Sequence, residues 1–207
     1  MATIAVLAAE HDPGTEGIAV DLAGGTGHYL SAVLDGPPRR HGLCVEASAP
    51  ALRRAARAHA RAAAIGADVW SPLPVRSGAA GVVLSVFGPR NVAEVERILS
   101  PGGIVIVATP RPAHLQELAP LVGAIGIDPR KPERLAASLQ GFKRLASQEV
   151  TWRLALHHQD VHDITAMGPA ARHVSDDDLR LLIARLPEVV GATVAVDVAV
   201  YRRSPRR

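Results

Sequence analysis

The sequence predicts an α/β fold built on a doubly wound sheet of seven strands, mostly parallel, with an antiparallel last strand. Two observations lead to this prediction. Strand-like and helix-like segments alternate five times between residues 17 and 109, as is typical of parallel sheets with crossover helices. Residues 81–87 also form a nearly continuous apolar run, which indicates a strand that is covered on both faces.

The first half of the chain contains five of the predicted strands. Turn-forming residues separate them: the run 35–38 ends one helix, and Pro110 ends strand five. Ser48 is the expected N-cap of a long Ala/Arg helix that has Pro50 at an early helical position. The predicted strands are 17–22, 41–46, 64–67, 81–87 and 104–109, and the predicted helices are 4–10, 26–34, 49–63 and 91–99.

The last third of the chain adds two strands. Residues 149–154 alternate in polarity and residues 192–201 are rich in valine, so each segment predicts a strand. Further predicted helices are 112–122, 132–139, 160–167 and 176–186. We expect a short N-terminal extension at 1–16, one Rossmann-like domain at 17–201, and a disordered basic tail at 202–207.

Length and composition limit the classes of function. The 207 residues suffice for one domain with a substantial core, and the formal net charge of +3 is compatible with an anionic partner. The single cysteine, Cys44, excludes an internal disulfide and a multi-cysteine zinc site in this chain, so we expect no metal. Without an apolar run of about 18 residues or a secretion signal, we expect a cytoplasmic protein outside the membrane. Composition indicates no oligomeric state.

A glycine-rich turn follows the first strand. The dinucleotide-binding pattern would require glycine at position 30, which is Leu30. The methyltransferase pattern acid-x-Gly-x-Gly-x-Gly fits better, at Asp21, Ala23, Gly25 and Gly27, although Ala23 departs from it. Because Gly25 and Gly27 permit positive φ and close approach of the backbone, this turn favours S-adenosylmethionine as the ligand.

Two further acids end the next two strands. Glu46 lies 21 residues after Gly25, where a carboxylate can bind both ribose hydroxyls. Asp68 is placed to accept a hydrogen bond from the adenine amine, and Val69 to pack on the ring. Ala47 and Val86 complete the predicted cofactor contacts. The alternative is that the two acids only cap the helices that follow them.

The chain resembles the class I S-adenosylmethionine-dependent methyltransferases. More narrowly, it is similar to the bacterial 23S rRNA guanine-N1 methyltransferases, the group that includes tylosin- and mycinamicin-resistance enzymes. Family members carry a four-cysteine zinc module and a helical segment ahead of the cofactor turn, whereas here only 16 residues precede strand one and none of them is cysteine. The matching runs are 21–29, 73–76, 86–91, 99–103, 108–118, 161–163 and 167–169.

The resemblance implies methylation of guanine N1 in a 23S rRNA hairpin and, with it, macrolide resistance. The target base must be unpaired, and an acceptor must face its N1 proton. Phe87 and Pro89 are expected to form an apolar wall for the purine, with core packing as the alternative for Phe87. Arg90 and Arg111 are expected to contact the substrate. Asp163 and His114 rank first as proton acceptors, ahead of Glu117 and His162.

Two other functions stay open at this stage. The missing zinc module favours a methyltransferase that acts on a small metabolite, and a cofactor-binding remnant without turnover is the third hypothesis. A stripe of arginines, Arg53, Arg57 and Arg61, with Arg54 beside it, follows strand two. It fits either a phosphate-contacting face for RNA or, more commonly, a solvated helix surface.

Overall fold

A computed structural model describes residues 1–12, 14, 17–122, 139–167 and 174–204. The strands in this part of the chain are β1 (Ile18–Leu22), β2 (Gly42–Glu46), β3 (Ala62–Gly66), β4 (Ala80–Val86), β5 (Leu99–Pro110), β6 (Phe142–His157) and β7 (Val189–Arg203). The helices are α1 (Ala2–His11), α2 (His28–Asp35), α3 (Ala49–Ala55), α4 (Val92–Ile98), α5 (His158–Met167) and α6 (Asp176–Ile183), with a 3₁₀ helix at Gln116–Val122.

The strands form one sheet in the order β3-β2-β1-β4-β5-β7-β6. Strands β1 to β5 pair in parallel, whereas β7 is antiparallel to both β5 and β6, so the predicted fold class is confirmed. Two compact units divide the chain. Unit 1 comprises Met1–Thr109, Arg134–Gln148 and Val198–Arg207, and unit 2 comprises Pro110–Glu133 and Glu149–Asp197. No helix among the described residues is long and apolar enough to cross a membrane.

The order of the strands reverses at β1, which lies between β2 and β4. Val20 of β1 pairs with Leu43 of β2 on one side and with Val83 of β4 on the other. All seven residues of β4 are buried, and burial of this apolar surface stabilises the centre of the sheet. Such a reversal leaves a crevice at the carboxyl ends of the strands, which is where α/β sheets bind ligands.

The prediction of a long helix over residues 49–63, after strand two, is wrong. Helix α3 ends at Ala55, and β3 begins at Ala62, two residues before the predicted strand. Alanine favours helices, but residues 62–66 pair in register with β2, and the amide of Gly42 donates to Arg61 O at 2.8 Å. The sheet therefore overrides local helix propensity. Ser48 is the N-cap residue, as predicted, but its side chain makes no capping hydrogen bond.

Several elements in the second half of the chain also differ between the prediction and the structure. Strand β6 is much longer than the predicted segment 149–154, because pairing with β7 satisfies backbone groups beyond the alternating run. Arg202 and Arg203, predicted to be disordered, belong to β7, and their guanidinium groups donate to the carbonyls of His11 and Glu96. The predicted helix 112–122 is a 3₁₀ helix from Gln116, and the predicted helix 132–139 lies outside the described residues except for residue 139.

The remaining predicted helices match α1, α2, α4, α5 and α6 to within three residues at each end. Helix α1 is tied to the rest of unit 1 by a buried ion pair. Arg40 and Asp12 pair with side chains only 6% and 4% exposed, and Arg40 Nη1 donates to Gly17 O at 2.7 Å. A Cβ at Gly81 would lie 2.6 Å from this same Nη1. Glycine at position 81 therefore leaves the space that the guanidinium occupies.

We predict that Asp12→Ala lowers the free energy of unfolding by about 3 kcal/mol, because it leaves the Arg40 charge buried without its partner. Denaturant titration followed by circular dichroism measures the change. The double variant Asp12→Leu with Arg40→Met should recover part of the loss, since it removes both charges. Arg180→Ala breaks an exposed pair with Asp176 and should cost much less stability than Asp12→Ala, because water screens the exposed charges. Equal losses for Asp12→Ala and Arg180→Ala would contradict the prediction.

Candidate functional site

The turn between β1 and α2 has a left-handed backbone at alternate residues. Ala23, Gly25 and Gly27 have φ values of 51°, 56° and 78°. A side chain at Gly25 would meet nothing within 4 Å, so the backbone is bare on the outer side of the turn. The left-handed conformation costs an L-residue about 1–2 kcal/mol. Ala23 thus departs from the glycine pattern in residue type but adopts the conformation that the pattern requires.

Gly24, rather than Ala23, is the residue that crowding restricts to glycine. A Cβ at Gly24 would lie 2.7 Å from the carboxyl group of Asp21 and 2.7 Å from Cys44 Sγ. Cys44 is fully buried, and burial raises the pKa of its thiol to about 12, with the charges of Asp21 and Glu46 adding to the effect. The methyltransferase pattern leaves position 24 unspecified, so the only sequence signal for this role was the Gly24-Gly25 pair.

Asp21 has a buried carboxyl group that lacks hydrogen-bond partners. The residue is 0% exposed, and neither oxygen has a hydrogen-bond partner in the described structure. Burial raises its pKa from 3.8 to about 7; the nearby Leu30 amide, whose geometry falls short of a hydrogen bond, lowers it, and Glu46 raises it further. A buried group in this state is stabilised by a cation or a donor brought close to it. The carboxyl group lies directly beneath the cofactor turn.

Glu46, at the end of β2, connects this strand to the turn. Its Oε2 accepts the Gly25 amide at 2.9 Å, and its Oε1 accepts the Ser48 amide at 2.7 Å. The second bond partly supports the alternative that Glu46 serves the start of α3. A carboxylate has about four lone-pair positions, so these two bonds leave acceptor capacity for the two hydroxyls of a ribose.

The other predicted cofactor residues differ in accessibility. Asp68 is exposed, and its Oδ1 accepts the Trp70 amide at 3.0 Å. Val69 is only 4% exposed and packs in the core of unit 1, so little of its surface is open to an adenine ring. Ala47 is exposed, and Val86 is 8% exposed at the end of β4. Their contacts with a cofactor stay predictions.

The turn after β4 contacts the turn after β1. A Cβ at Gly88 would lie 3.1 Å from Ala23 Cβ, so glycine allows this approach. Phe87 precedes it with φ 57°, an unusual conformation for a bulky residue, and its amide donates to Ala108 O at 3.0 Å. Because Phe87 is 45% exposed, the alternative that it packs in the core is wrong.

The three other predicted substrate residues have different surroundings. Pro89 is exposed. Arg90 is half-buried; burial lowers its pKa, and its Nη1 lies 3.5 Å from Ser85 Oγ. Arg111, in unit 2, forms an ion pair of 2.8 Å with Glu149. The structure therefore places Phe87, Pro89 and Arg90 together on unit 1, whereas Arg111 belongs to unit 2.

Two of the predicted proton acceptors bind the backbone of β7 in unit 2. The Ala195 amide donates to His114 Nδ1 at 3.3 Å. The Glu117 carboxylate accepts the Thr193 amide at 3.0 Å and the Thr193 hydroxyl at 2.6 Å. These bonds, with Arg153 nearby, lower the pKa of Glu117. Both side chains thus help to hold the segment after β5 against β7.

The other two predicted acceptors lie on α5. Asp163 is largely exposed, and its Oδ1 accepts a hydrogen bond of 2.8 Å from Gln159 Nε2. His162 lies between two acids: Nε2 is 2.6 Å from Asp176 Oδ1, and Nδ1 is 3.4 Å from Asp163 Oδ1. Among the described residues, no group of three or more His, Cys, Asp and Glu side chains is arranged to hold a metal ion.

Comparison with known proteins identifies the family. A Streptomyces fradiae 23S rRNA (guanine(748)-N(1))-methyltransferase is 43% identical over 187 residues, which are 90% of this chain and 67% of that protein. This chain belongs to the 23S rRNA guanine-N1 methyltransferase family. A 23S rRNA (guanine-N(1)-)-methyltransferase from Micromonospora griseorubida, whose name specifies no nucleotide position, is 42% identical over 89% of this chain and 63% of its own length. The chain therefore spans about two thirds of the length of these relatives. No protein-family model matches it.

Solved structures support the fold of this methyltransferase. The YcgJ protein of Bacillus subtilis aligns with a TM-score of 0.65 at 14% identity, over 99% of this chain and all of that one. A Thiobacillus denitrificans S-adenosylmethionine-dependent methyltransferase in complex with S-adenosylhomocysteine aligns with a TM-score of 0.59 at 14% identity. This alignment covers 99% of this chain and 92% of the Thiobacillus denitrificans protein. At these identities the similarity concerns the fold alone.

Family membership confirms the predicted enzyme class and the predicted cofactor, S-adenosylmethionine. The residues of the methyltransferase fit this group: Gly25 presents a bare backbone, Asp21 is a buried carboxyl group without a partner, and Glu46 keeps acceptor capacity. The roles of individual residues toward cofactor and substrate stay predictions. Gly24 and Gly88, whose backbones allow the close contacts around the turn, were not among the predicted site residues.

We predict that Asp21 makes the methyltransferase less stable as pH rises from about 4 to about 7. Its pKa of about 7 in the folded state exceeds its ordinary value of 3.8, so the folded protein binds the extra proton in this window, and stability falls as the proton is lost. In Asp21→Asn the side chain stays neutral, and this decrease, on the order of 2–4 kcal/mol, should largely disappear. Denaturant unfolding at pH 5 and pH 8 measures the change.

Asp68→Asn is the matched control for the pH experiment, because it removes an exposed acid at the end of the neighbouring strand. Its pH dependence should match that of the parent protein. If Asp21→Asn and the parent lose the same stability between pH 5 and pH 8, the assignment of the effect to Asp21 is wrong.

Proposed function

We propose that this chain transfers a methyl group to N1 of a guanine in 23S rRNA. The observation that carries the proposal is the 43% identity, over 90% of the chain, to the Streptomyces fradiae guanine-N1 methyltransferase. The intact turn from Asp21 to Gly27 supports it, because a chain that had lost cofactor binding would not need this crowded backbone. The proposal includes action in the cytoplasm, where bacterial rRNA is found, and macrolide resistance as a phenotype.

The reaction needs a positioned base and an acceptor for one proton. S-adenosylmethionine supplies the methyl group, which bonds to N1 while the carbon–sulfur bond breaks and the N1 proton leaves. The protein must hold the nucleophile in line with that bond, and correct positioning accounts for much of the rate enhancement in such displacements. Because N1 lies on the pairing edge of guanine, the base must be unpaired when it enters the site.

Phe87 is the side chain that we propose for holding the base. It is exposed at the carboxyl end of β4, and the residue after it contacts the cofactor turn at Ala23. Stacking on an aromatic side chain contributes about 1–3 kcal/mol per base. The left-handed backbone of Phe87 directs the chain out of the sheet at this point. Pro89 and Arg90 follow in the same turn and complete the proposed wall for the base.

Asp163 fits the role of proton acceptor better than His114 does. Since Nδ1 of His114 accepts the Ala195 amide, the neutral ring carries its proton on Nε2. In that tautomer His114 donates a hydrogen bond and does not accept the N1 proton. Asp163 has an exposed carboxylate whose Oδ2 can still accept a proton. Arg111 stays a proposed substrate contact, with Glu149 as its present partner.

A methylation assay tests the function. The purified chain is incubated with tritium-labelled S-adenosylmethionine and a 23S rRNA hairpin that contains guanine 748, the position named for the Streptomyces fradiae relative. Label should enter the RNA, and reverse transcription should stop at the target, since a methyl group on N1 blocks base pairing. A hairpin with adenine at this position is the control. Label found only in small molecules, or cofactor binding without labelled RNA, would overturn the proposal in favour of a metabolite methyltransferase or an inactive remnant.

We predict that Glu46→Ala weakens S-adenosylmethionine binding more than tenfold, which is about 1.4 kcal/mol. The variant removes the acceptor proposed for the ribose hydroxyls and the bond to the Gly25 amide. Titration calorimetry measures the affinity. Asp35→Ala changes the charge equally at an exposed position and should bind like the parent. An affinity for Glu46→Ala within twofold of the parent would reject the role of Glu46.

We predict that Phe87→Ala lowers kcat/KM for the hairpin about tenfold, in line with the loss of one stacking contact. Cofactor affinity should be unchanged, since Phe87 is proposed to contact the base. Phe87→Tyr keeps the ring and should restore most of the activity. Steady-state kinetics with varied RNA concentrations measures the effect. Equal kcat/KM values for Phe87→Ala and the parent would count against the stacking role.

A further inference from the structure

Three arginines surround an open depression on unit 1. The depression has a volume of about 460 Å³ and is lined by Pro50, Arg53, Arg54 and Arg57. All three arginines are exposed. Within the described residues, none of their guanidinium groups forms a hydrogen bond or an ion pair. Other arginines of the same unit, such as Arg40 and Arg97, pair with acids.

The structure separates these three residues from the fourth member of the predicted arginine stripe. Arg61 Nε donates to Arg40 O at 3.0 Å, and Arg61 Nη2 donates to Leu34 O. Arg61 is therefore part of the internal structure of unit 1. Because α3 ends at Ala55, Arg57 lies in the turn after the helix, where it shares the depression with Arg53 and Arg54. The result is a compact group of positive charges in place of a long helical stripe.

The chemistry of this group fits an anionic polymer. Neighbouring like charges repel each other, and a bound phosphate relieves that repulsion. Guanidinium groups form paired hydrogen bonds with phosphate oxygens. A depression that is open to solvent and carries three separate guanidinium groups suits successive phosphates of a nucleic-acid strand better than a single enclosed phosphate. Contacts of this type position a nucleic acid without reading its sequence.

The arginine group is connected directly to the cofactor turn. A Cβ at Gly27 would lie 3.1 Å from Ala55 Cα and 3.1 Å from Ala58 Cβ. The segment that carries the arginines thus packs against Gly27, the N-cap residue that precedes α2. Ala55 is completely buried in this contact region. Any strand held by the arginines would therefore be held at a constant distance from the cofactor turn.

We propose that Arg53, Arg54 and Arg57 form a second contact surface for the RNA substrate, which binds its phosphate backbone away from the methylated base. This inference rests on the proposed function and adds to it a surface outside the cofactor and base sites. The surface contributes to RNA affinity and to the placement of the hairpin, but it does not contact the reacting atoms.

The test compares two triple variants of the full chain. Arg53→Ala, Arg54→Ala and Arg57→Ala are combined in one protein. Arg39→Ala, Arg76→Ala and Arg185→Ala are combined in the control, which loses the same charge from exposed, dispersed positions. Filter binding gives the Kd for the hairpin between 50 and 300 mM KCl. Methylation kinetics gives KM and kcat, and calorimetry gives the affinity for S-adenosylmethionine. Thermal unfolding confirms that both variants fold.

The first variant should bind the hairpin at least tenfold more weakly than the control and have a correspondingly higher KM. Its slope of log affinity against log salt should fall by about 2, since each lost phosphate contact removes about 0.7 from the slope. Its kcat at saturating RNA and its cofactor affinity should match those of the parent.

Two results would overturn the inference. If the parent methylates the hairpin and both triple variants have the same Kd, KM and salt slope, the surface does not bind RNA, and an acidic protein or solvent is its partner; the proposed function then stands. If the parent neither binds nor methylates the hairpin, the proposed function and this inference fail together.

Discussion

The close contact beneath the cofactor turn, which joins β1 to α2, is the constraint on which the functional part of the structure depends. Asp21 and Cys44 fill the space under Gly24 so tightly that no side chain fits there. This contact brings the ends of β1 and β2 together, and Glu46 then reaches the Gly25 amide. The same crowding keeps the Asp21 carboxyl away from water and raises its pKa. Packing and electrostatics at this position are therefore two results of one arrangement.

The sheet and the cofactor turn were largely predictable from the sequence, because both depend on local signals. The apolar run of β4 and the acid at the end of β1 report burial and turn geometry within a few residues of chain. The length of α3 was not predictable in this way. Its alanines favour a helix locally, but pairing of residues 62–66 with β2 converts the end of the segment into a strand. Contacts between distant parts of the chain decide such cases.

The substrate side of the site was harder to predict for the same reason. His114 and Glu117 were proposed as acceptors from their residue types, yet each side chain binds the backbone of β7, about 80 residues later in the chain. The sequence shows that a histidine is present but not which of its nitrogens is already engaged. Exposure presents a similar difficulty, since the same apolar pattern contains buried Val86 and exposed Phe87.

The position of Cys44 has a consequence for how opening of the cofactor turn can be measured. It is the single cysteine of the chain, it is fully buried, and its thiol stays protonated because its pKa is about 12. An alkylating reagent reacts with the thiolate, so modification of Cys44 requires the structure around the thiol to open, and Gly24 and Gly25 of the cofactor turn lie against this thiol. The rate of alkylation therefore reports how often the cofactor turn opens. A ligand that holds the turn closed would lower the rate of alkylation, and the measurement needs no introduced cysteine.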